Sequence, residues 1–334
     1  MDIDWKHSRM SRICNTAEPW LQEIVMRSSV DTQYFCENFM PDIYNKPMTE
    51  QRQKHFQLLD HDTVAYGYVV AARGFMKTTS IEGKMIKNTC FRQSPFNMFC
   101  SRTLDNAKTS TENIKNILLT NSDIRDTFGC FKAVKYQGVN PTFGKDAWFA
   151  ADPDTSEPFT FFLPKGRGQQ VNGAKIYIAG RNCRLTFGVC DDLEDREEVL
   201  SEELRKKLED WYFGAFIKCV DDTYPGAKYL WKRPSLAKEP DWQPPWRIIY
   251  QDTIKHEDAL MVKVMTASEY HGGVYPRCKY VDDTFQKVVS CAPELWSDED
   301  VQRDFDLHKR HHKEDIFAMD IMCMPMAKGQ GSWT

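Results

Sequence analysis

No apolar run in the 334 residues approaches the roughly 18 needed to cross a bilayer. The longest clean stretch, residues 65–72, holds two tyrosines and a glycine. The N-terminus, MDIDWKHSRM, carries acids and no hydrophobic centre, so it does not read as a secretory signal. The protein is expected to stay in the compartment that makes it. No two of the 11 cysteines form a C-x-x-C pair, and their number is odd. That excludes a disulfide-stapled miniprotein and leaves buried, reduced thiols as the expectation. A zinc site needs paired ligands, and none are spaced for one. The single histidine cluster, His308, His311 and His312 in HKRHH, reads as a solvated helix face. Internal repeats and low-complexity tracts are also missing. Neither sign of charge dominates: 44 Lys and Arg stand against 48 Asp and Glu, a net charge of −4. A surface coated in nucleic acid is thereby disfavoured, while a local basic channel is not.

Apolar residues make up 41% and charged residues 28%, enough of the first for a sizeable core and too little imbalance for a disordered chain. The length suits about two domains, or one large α/β domain with an attachment. The first 60 residues are helical in pattern, with an N-cap at Asp31 and a helix near 47–60. VAYGYVVAA reads as a buried strand, followed by a helix through Ile81, Met85 and Ile86. A strand at 96–100 and a helix over 106–120 come next. Residues 130–180 read as short strands and loops, and 184–190 (RLTFGVC) as one compact strand. Ser201 is expected to cap a helix with Leu204, Leu208, Trp211 and Ala215 on its apolar face. Four prolines mark 234–245 as a loop before a strand at 247–250. A charged helix over 298–311 and an apolar tail, FAMDIMCMP, close the chain. Strands alternating with helices imply a mostly parallel sheet with helices on both faces, and ligands at the carboxyl ends of its strands.

Two segments at such ends carry chemistry. AARGFMKTTS, residues 71–80, follows a buried strand and opens a helix, the setting of a phosphate-binding loop. There Lys77 would reach the β- and γ-phosphates, Thr78 would ligate Mg²⁺, and Arg73 would add a second cation. The pattern G-x-x-x-x-G-K-[ST] is not met, since Ala71 and Met76 stand at its glycines. Taken alone, the segment is a weak signal, and an ordinary strand-to-helix turn is the plainer reading of it. In RLTFGVCDDLED an apolar strand ends in carboxylates, as Mg²⁺–nucleotide chemistry requires. Asp191 would hold the metal shell, and Asp192 or Glu194 would orient the attacking water. An acid-rich helix start is the plain alternative. The two segments together favour an ATP site. A third, RIIYQDTIKHED, ends a strand in Asp252 and Thr253 and could sense the γ-phosphate.

In this order the segments resemble the ATPase domain of the large terminase subunit of tailed bacteriophages, over roughly residues 30–325. VVAARGFMKTTS resembles its arginine-bearing Walker A loop, KGRGQQVNGAKI the glycine-rich stretch before Walker B, and RLTFGVCDDLED a D-D-x-E Walker B. The resemblance implies a P-loop NTPase of the RecA/ASCE kind: a mostly parallel sheet flanked by helices, with a small helical lid and no nuclease domain. It divides the chain into an N-terminal helical segment (1–45), an ATPase core (46–270) and a lid or linker (271–334). ATP would be bound by Arg73, Gly74, Phe75, Met76, Lys77, Thr78 and Thr79, with Gln53 matching the adenine-contacting glutamine. Thr78 and Asp191 would hold Mg²⁺. Asp192, with Glu194 as competitor, would activate water, and Thr253 would couple hydrolysis to movement. Arg181 or Arg184 would act in trans on the next subunit. Met76, Asn172 and Asp252 depart from the common residues at their positions. About 80 residues follow the coupling strand, so nuclease activity is not expected from this chain: either the sequence is a piece of a longer protein, or the nuclease is a separate chain. The implied function is ATP-driven translocation of double-stranded viral DNA into a prohead. Implied partners are the DNA backbone, the portal, the small terminase subunit and copies of the chain in a ring of five. The implied location is the host cytoplasm, with transient docking at the portal and no membrane. Another DNA-stimulated translocase of helicase type and a non-hydrolysing subunit with a degenerate loop are the alternatives.

Overall fold

A computed structural model describes residues 17–61, 64–178, 181–221 and 246–325. The helices, in chain order, are α1 (Pro19–Ser28), α2 (Thr32–Phe39), α3 (Glu50–Asp60), α4 (Lys77–Cys90), α5 (Leu104–Thr120), α6 (Ser122–Phe128), α7 (Glu202–Trp211), α8 (Leu260–Thr266), α9 (Asp298–Arg310) and α10 (Glu314–Asp320). The strands are β1 (Tyr66–Ala71), β2 (Phe96–Ser101), β3 (Trp148–Ala151), β4 (Pro158–Gly166), β5 (Lys175–Ile178), β6 (Arg181–Arg184), β7 (Phe187–Asp191), β8 (Arg247–Asp252), β9 (Tyr270–Tyr275), β10 (Cys278–Tyr280) and β11 (Val288–Ser290).

Seven strands form one sheet in the order β3-β4-β2-β7-β8-β1-β9. Every pairing is parallel except β3 with β4. The central strands β2, β7 and β8 are buried along their whole length. Alternation explains why both faces are apolar. Val69, Phe99, Val189 and Ile249 face one core, which is closed by Phe35 of α2, Ile81 and Met85 of α4, and Ile114 of α5. Val70, Cys100, Cys190 and Tyr250 face the other, closed by Met261 and Val264 of α8 together with Tyr212 and Phe216. This is the mostly parallel sheet with helices on both faces expected from sequence, with β8 standing between the strands that end at Ala71 and Asp191.

Caps fix several helix starts. Asp31 accepts a hydrogen bond from the Tyr34 amide at 2.8 Å, and Ser297 and Asp300 form a reciprocal capping box on α9. A third, small core (Cys278, Val301, Phe305, Phe317 among others) gathers β10, β11, α9 and α10 into a C-terminal unit. The sheet itself runs to Tyr275, past the 270/271 division.

Two sequence expectations need correcting. Residues 184–190 are not one strand: Arg184 ends β6, which pairs only with β5 in a separate hairpin, and β7 begins at Phe187. The break is anchored by Thr186, whose hydroxyl donates to the Phe96 carbonyl at 2.8 Å. Of the face expected on the helix capped by Ser201, Leu208, Trp211 and Ala215 pack partly buried against the second core, but Leu204 is exposed. A π-helical turn over Tyr212–Phe216 follows, and Tyr212, Phe216 and Cys219 are the residues fully buried beyond it. The 234–245 proline segment lies outside the described residues.

Eight of the ten described cysteines are buried, and none of the ten forms a disulfide. No group of His, Cys, Asp and Glu suited to a metal cluster occurs among the described residues. No helix among them is long and apolar enough to cross a membrane.

Candidate active site

The loop between β1 and α4 turns sharply. Gly74 has φ 81° and Met76 φ 83°, both left-handed. Glycine takes that conformation freely, whereas methionine is held there at a cost of about 1–2 kcal/mol. Packing holds it, because the Met76 side chain is partly buried against the first core beside Phe75. Phe75 stacks on Tyr275 at 4.9 Å between ring centres and meets His55 of α3 edge-on at 5.6 Å. Met76 is the N-cap of α4 and offers no side-chain acceptor. The helix therefore opens on the cavity with its positive end. Lys77 and Thr78 are its first residues, and the Thr79 carbonyl accepts the Tyr44 hydroxyl at 2.6 Å.

Strand β7 delivers the acids to the same place, one strand away across β8. Thr78 Oγ1 donates to Asp191 Oδ2 at 2.7 Å, and Gln251 Nε2 of β8 donates to Asp191 Oδ1 at 2.9 Å. Burial, reinforced by the charge of Asp192, pushes the Asp191 carboxyl up to about 6 against the pull of Lys77. Asp192 is in the left-handed region (φ 47°) with its side chain half exposed. Its Oδ1 lies 3.3 Å from Lys77 Nζ and 4.0 Å from Lys255 Nζ. Burial works to raise its carboxyl, but the two ammonium groups outweigh it and hold it below the usual range. Burial likewise works against the Lys77 ammonium, and Asp192, Asp191 and Asp252 more than restore it.

Glu194 is placed differently. It is buried, and its carboxylate accepts the amides of Leu260 at 2.7 Å and Met261 at 3.2 Å, capping α8. The Tyr250 hydroxyl adds a third bond at 3.2 Å. Asp252 is fully buried, paired with Lys255, and accepts the Thr253 amide at 2.8 Å. Burial pushes its carboxyl up to about 7 despite Lys255.

These groups border a cavity of about 490 Å³, lined by Arg73, Lys77, Asp192, Glu194 and Thr253 among others. Of the residues expected from sequence, Gly74, Phe75, Met76, Thr78, Thr79 and Asp191 are not among its lining residues, although Thr78 and Asp191 neighbour Lys77 and Asp192, which are. Gln53 is exposed on α3 and Arg184 is exposed on the β5–β6 hairpin, and neither lines the cavity. The Arg181 side chain lies outside the described part. Other lining residues were not singled out from sequence: Arg102, paired with Asp195, and Arg196, paired with Asp320. Asp320 also holds Arg73 Nε at 2.9 Å and accepts the Arg73 amide through its carbonyl at 3.0 Å. One acid within the apolar tail FAMDIMCMP was the available signal for Asp320. Gln251 and Lys255 flank the Asp252–Thr253 pair that drew attention.

No protein-family model matches the chain, and no curated protein matches it in sequence. Solved structures do. The large terminase of bacteriophage HK97 superposes with a TM-score of 0.52 at 12% identity, over 89% of this chain. The chain spans 55% of the length of that protein. The large terminase ATPase domain of Thermus phage P74-26 aligns with a TM-score of 0.49 at 10% identity, over 87% of this chain and 98% of that one. The cavity at the carboxyl ends of β1, β7 and β8 thus sits in a fold shared with the HK97 phage large terminase.

Proposed function

We propose that the chain is an ATP hydrolase, the packaging ATPase of a large terminase, which drives double-stranded viral DNA into a prohead. The observation that carries this reading is the 2.7 Å hydrogen bond from Thr78 to Asp191, which joins the phosphate loop to the acid pair beside the cavity that Lys77 and Asp192 line. Residue types that phosphoryl transfer needs, from segments more than 100 positions apart, meet there.

The residues suit a magnesium ion. Thr78 gives its hydrogen to Asp191 and keeps its lone pairs for a cation, while the crowded carboxylates are short of positive charge. Thr78 and Asp191 would hold Mg²⁺, which supplies neutralisation of the β- and γ-phosphate charge when bound. Lys77 and the start of α4 bind the phosphates, and Arg73 reaches them on leaving Asp320. Gly74, Phe75, Met76 and Thr79 shape the loop. Asp192, half exposed and free of backbone duties, takes a proton from the attacking water. Glu194 is engaged by two amides and a tyrosine, so we assign it the task of holding α8 in place. Thr253 reports the state of the terminal phosphate along β8.

Arg184 stands on a hairpin away from its own cavity and is suited to the cavity of a neighbouring copy. A ring of five on the portal, with DNA held through its phosphates, follows from that reading. The same reading implies the small terminase subunit as a partner, the host cytoplasm as the site of action, and the C-terminal unit as a lid.

The test is steady-state ATP hydrolysis by the full chain with Mg²⁺, with and without linear duplex DNA, across protein concentration. Turnover that rises steeply with concentration, and further with DNA, is expected. Absence of both nucleotide binding and turnover would sink the reading.

A further inference from the structure

Asp192 Oδ1 stands where two ammonium groups converge, with Lys77 Nζ at 3.3 Å and Lys255 Nζ at 4.0 Å. Lys77 comes from the phosphate loop, Lys255 from the segment beyond β8, and both line the cavity. Two lysines aimed at one point define an anion position. In this structure a protein carboxylate fills it. That carboxylate is poorly secured for the purpose: its side chain is half exposed, on a residue with left-handed backbone.

Lys255 itself is firmly placed. It is nearly buried and pairs with Asp252, a fully buried carboxylate. Asp252 is fixed from other sides too, by the Thr253 amide, by the Glu194 amide at 3.2 Å and by the Tyr250 hydroxyl at 3.3 Å. A buried acid of this kind is tolerated only with a cation beside it. Asp252 and Lys255 therefore act as a set, in which the acid aims the lysine at the cavity.

We infer that Lys255 is a second ligand of the terminal phosphate, and that Asp192 occupies the position of that phosphate until a nucleoside triphosphate displaces it. This rests on the ATP-site reading above. Displacement has two effects. Lys77 and Lys255 exchange a carboxylate for a phosphate, and Asp192 is released toward solvent, where a water can be activated. A diphosphate lacks the group that reaches Lys255, so it leaves Asp192 in place. The pair Asp252–Lys255 thus makes the site read the third phosphate.

The test compares equilibrium binding of Mg²⁺–AMP-PNP and Mg²⁺–ADP to the full chain and its variants. Lys255→Gln alone strands the buried Asp252, so the double variant Asp252→Asn/Lys255→Gln is measured beside it, with folding checked by circular dichroism. A charge-assisted bond to phosphate supports an expected loss of roughly 10- to 100-fold in AMP-PNP affinity for both variants. ADP affinity should stay within about twofold, and Lys255→Arg should recover most of the loss. An equal loss for both nucleotides, or no loss in the folded double variant, overturns the proposal while leaving the ATP site standing. A wild-type protein that binds neither nucleotide overturns the ATP-site reading and this proposal with it.

Discussion

Helix α4 carries lysines into two charge clusters that behave oppositely. At its first turn, Lys77 meets Asp191, Asp192 and Asp252, with Lys255 across the cavity, so three carboxylates face two ammonium groups and one of the acids, Asp192, is open to solvent. Farther along, Lys84 and Lys87 share the single carboxylate of Asp60, at 2.7 Å and 3.2 Å, and all three are largely sealed from water. Asp60 also accepts the Thr32 amide and hydroxyl, both at 2.6 Å, tying α2, α3 and α4 together. Burial pulls Lys84 down to about 7, with Asp60 pulling back. The same residue type on the same helix is thus exchangeable in one place and structural in the other. Access to water makes the difference: an ion pair that a ligand can enter is a site, and one that nothing can enter is a brace.

The largest separation of the two clusters should come from Lys77→Ala. Turnover should fall by at least about 1,000-fold while the melting temperature stays within a few degrees. Undiminished turnover would remove Lys77 from the chemistry. Asp60→Asn should do the reverse. It removes the charge that Lys84 and Lys87 share, so urea unfolding should register a loss of about 3–5 kcal/mol, with turnover per folded molecule unchanged. A stable Asp60→Asn protein would mean that water reaches the brace.

Within the first cluster, Asp192→Asn and Glu194→Gln sharpen the contrast further. Asp192→Asn should bind ATP and hydrolyse it at least about 100-fold more slowly. Glu194→Gln should lower stability by about 1–3 kcal/mol through its weakened bonds to the α8 amides, and keep most of its turnover. The opposite pattern in single-turnover assays would exchange the two roles.

The smallest expected effect concerns His55, buried between Phe75 and Tyr275 with no hydrogen-bond partner on either ring nitrogen. Burial pushes it down to about 3 from an ordinary 6.5. Between those values the unfolded chain binds a proton that the native protein refuses, so stability falls as pH drops. From pH 6.5 to 5 the contribution is about 2 kcal/mol. Urea midpoints of His55→Phe should lose that part of the acid slope, and an unaltered slope would assign it to other groups.

The fold was legible where local physics decides alone. β2 and β8 are strands buried on both faces, and β1 is nearly so; such strands read as largely apolar runs. Asp31 and Ser201 were legible as caps because a cap acts within four residues. Leu204 was misread because helical spacing continues a face one turn beyond the point where the core ends: Leu208 and Trp211 reach it and Leu204 does not. Arg184 was joined to β7 because a hairpin boundary between apolar residues leaves no trace in hydropathy. At the site, Lys77, Thr78, Asp191 and Asp192 stood in recognisable strings. Arg102, Arg196 and Asp320 come from three separate places, and only the folded sheet brings them near Arg73.

Met76 shows that a bend which an absent side chain would permit can also be enforced by one that is present. Its packing against the core holds the backbone in a shape that glycine would adopt unaided. A search that demands glycine at this position passes over the loop, although the curve of the main chain is there. Relatives that share the loop are better sought by the path of the backbone than by its letters.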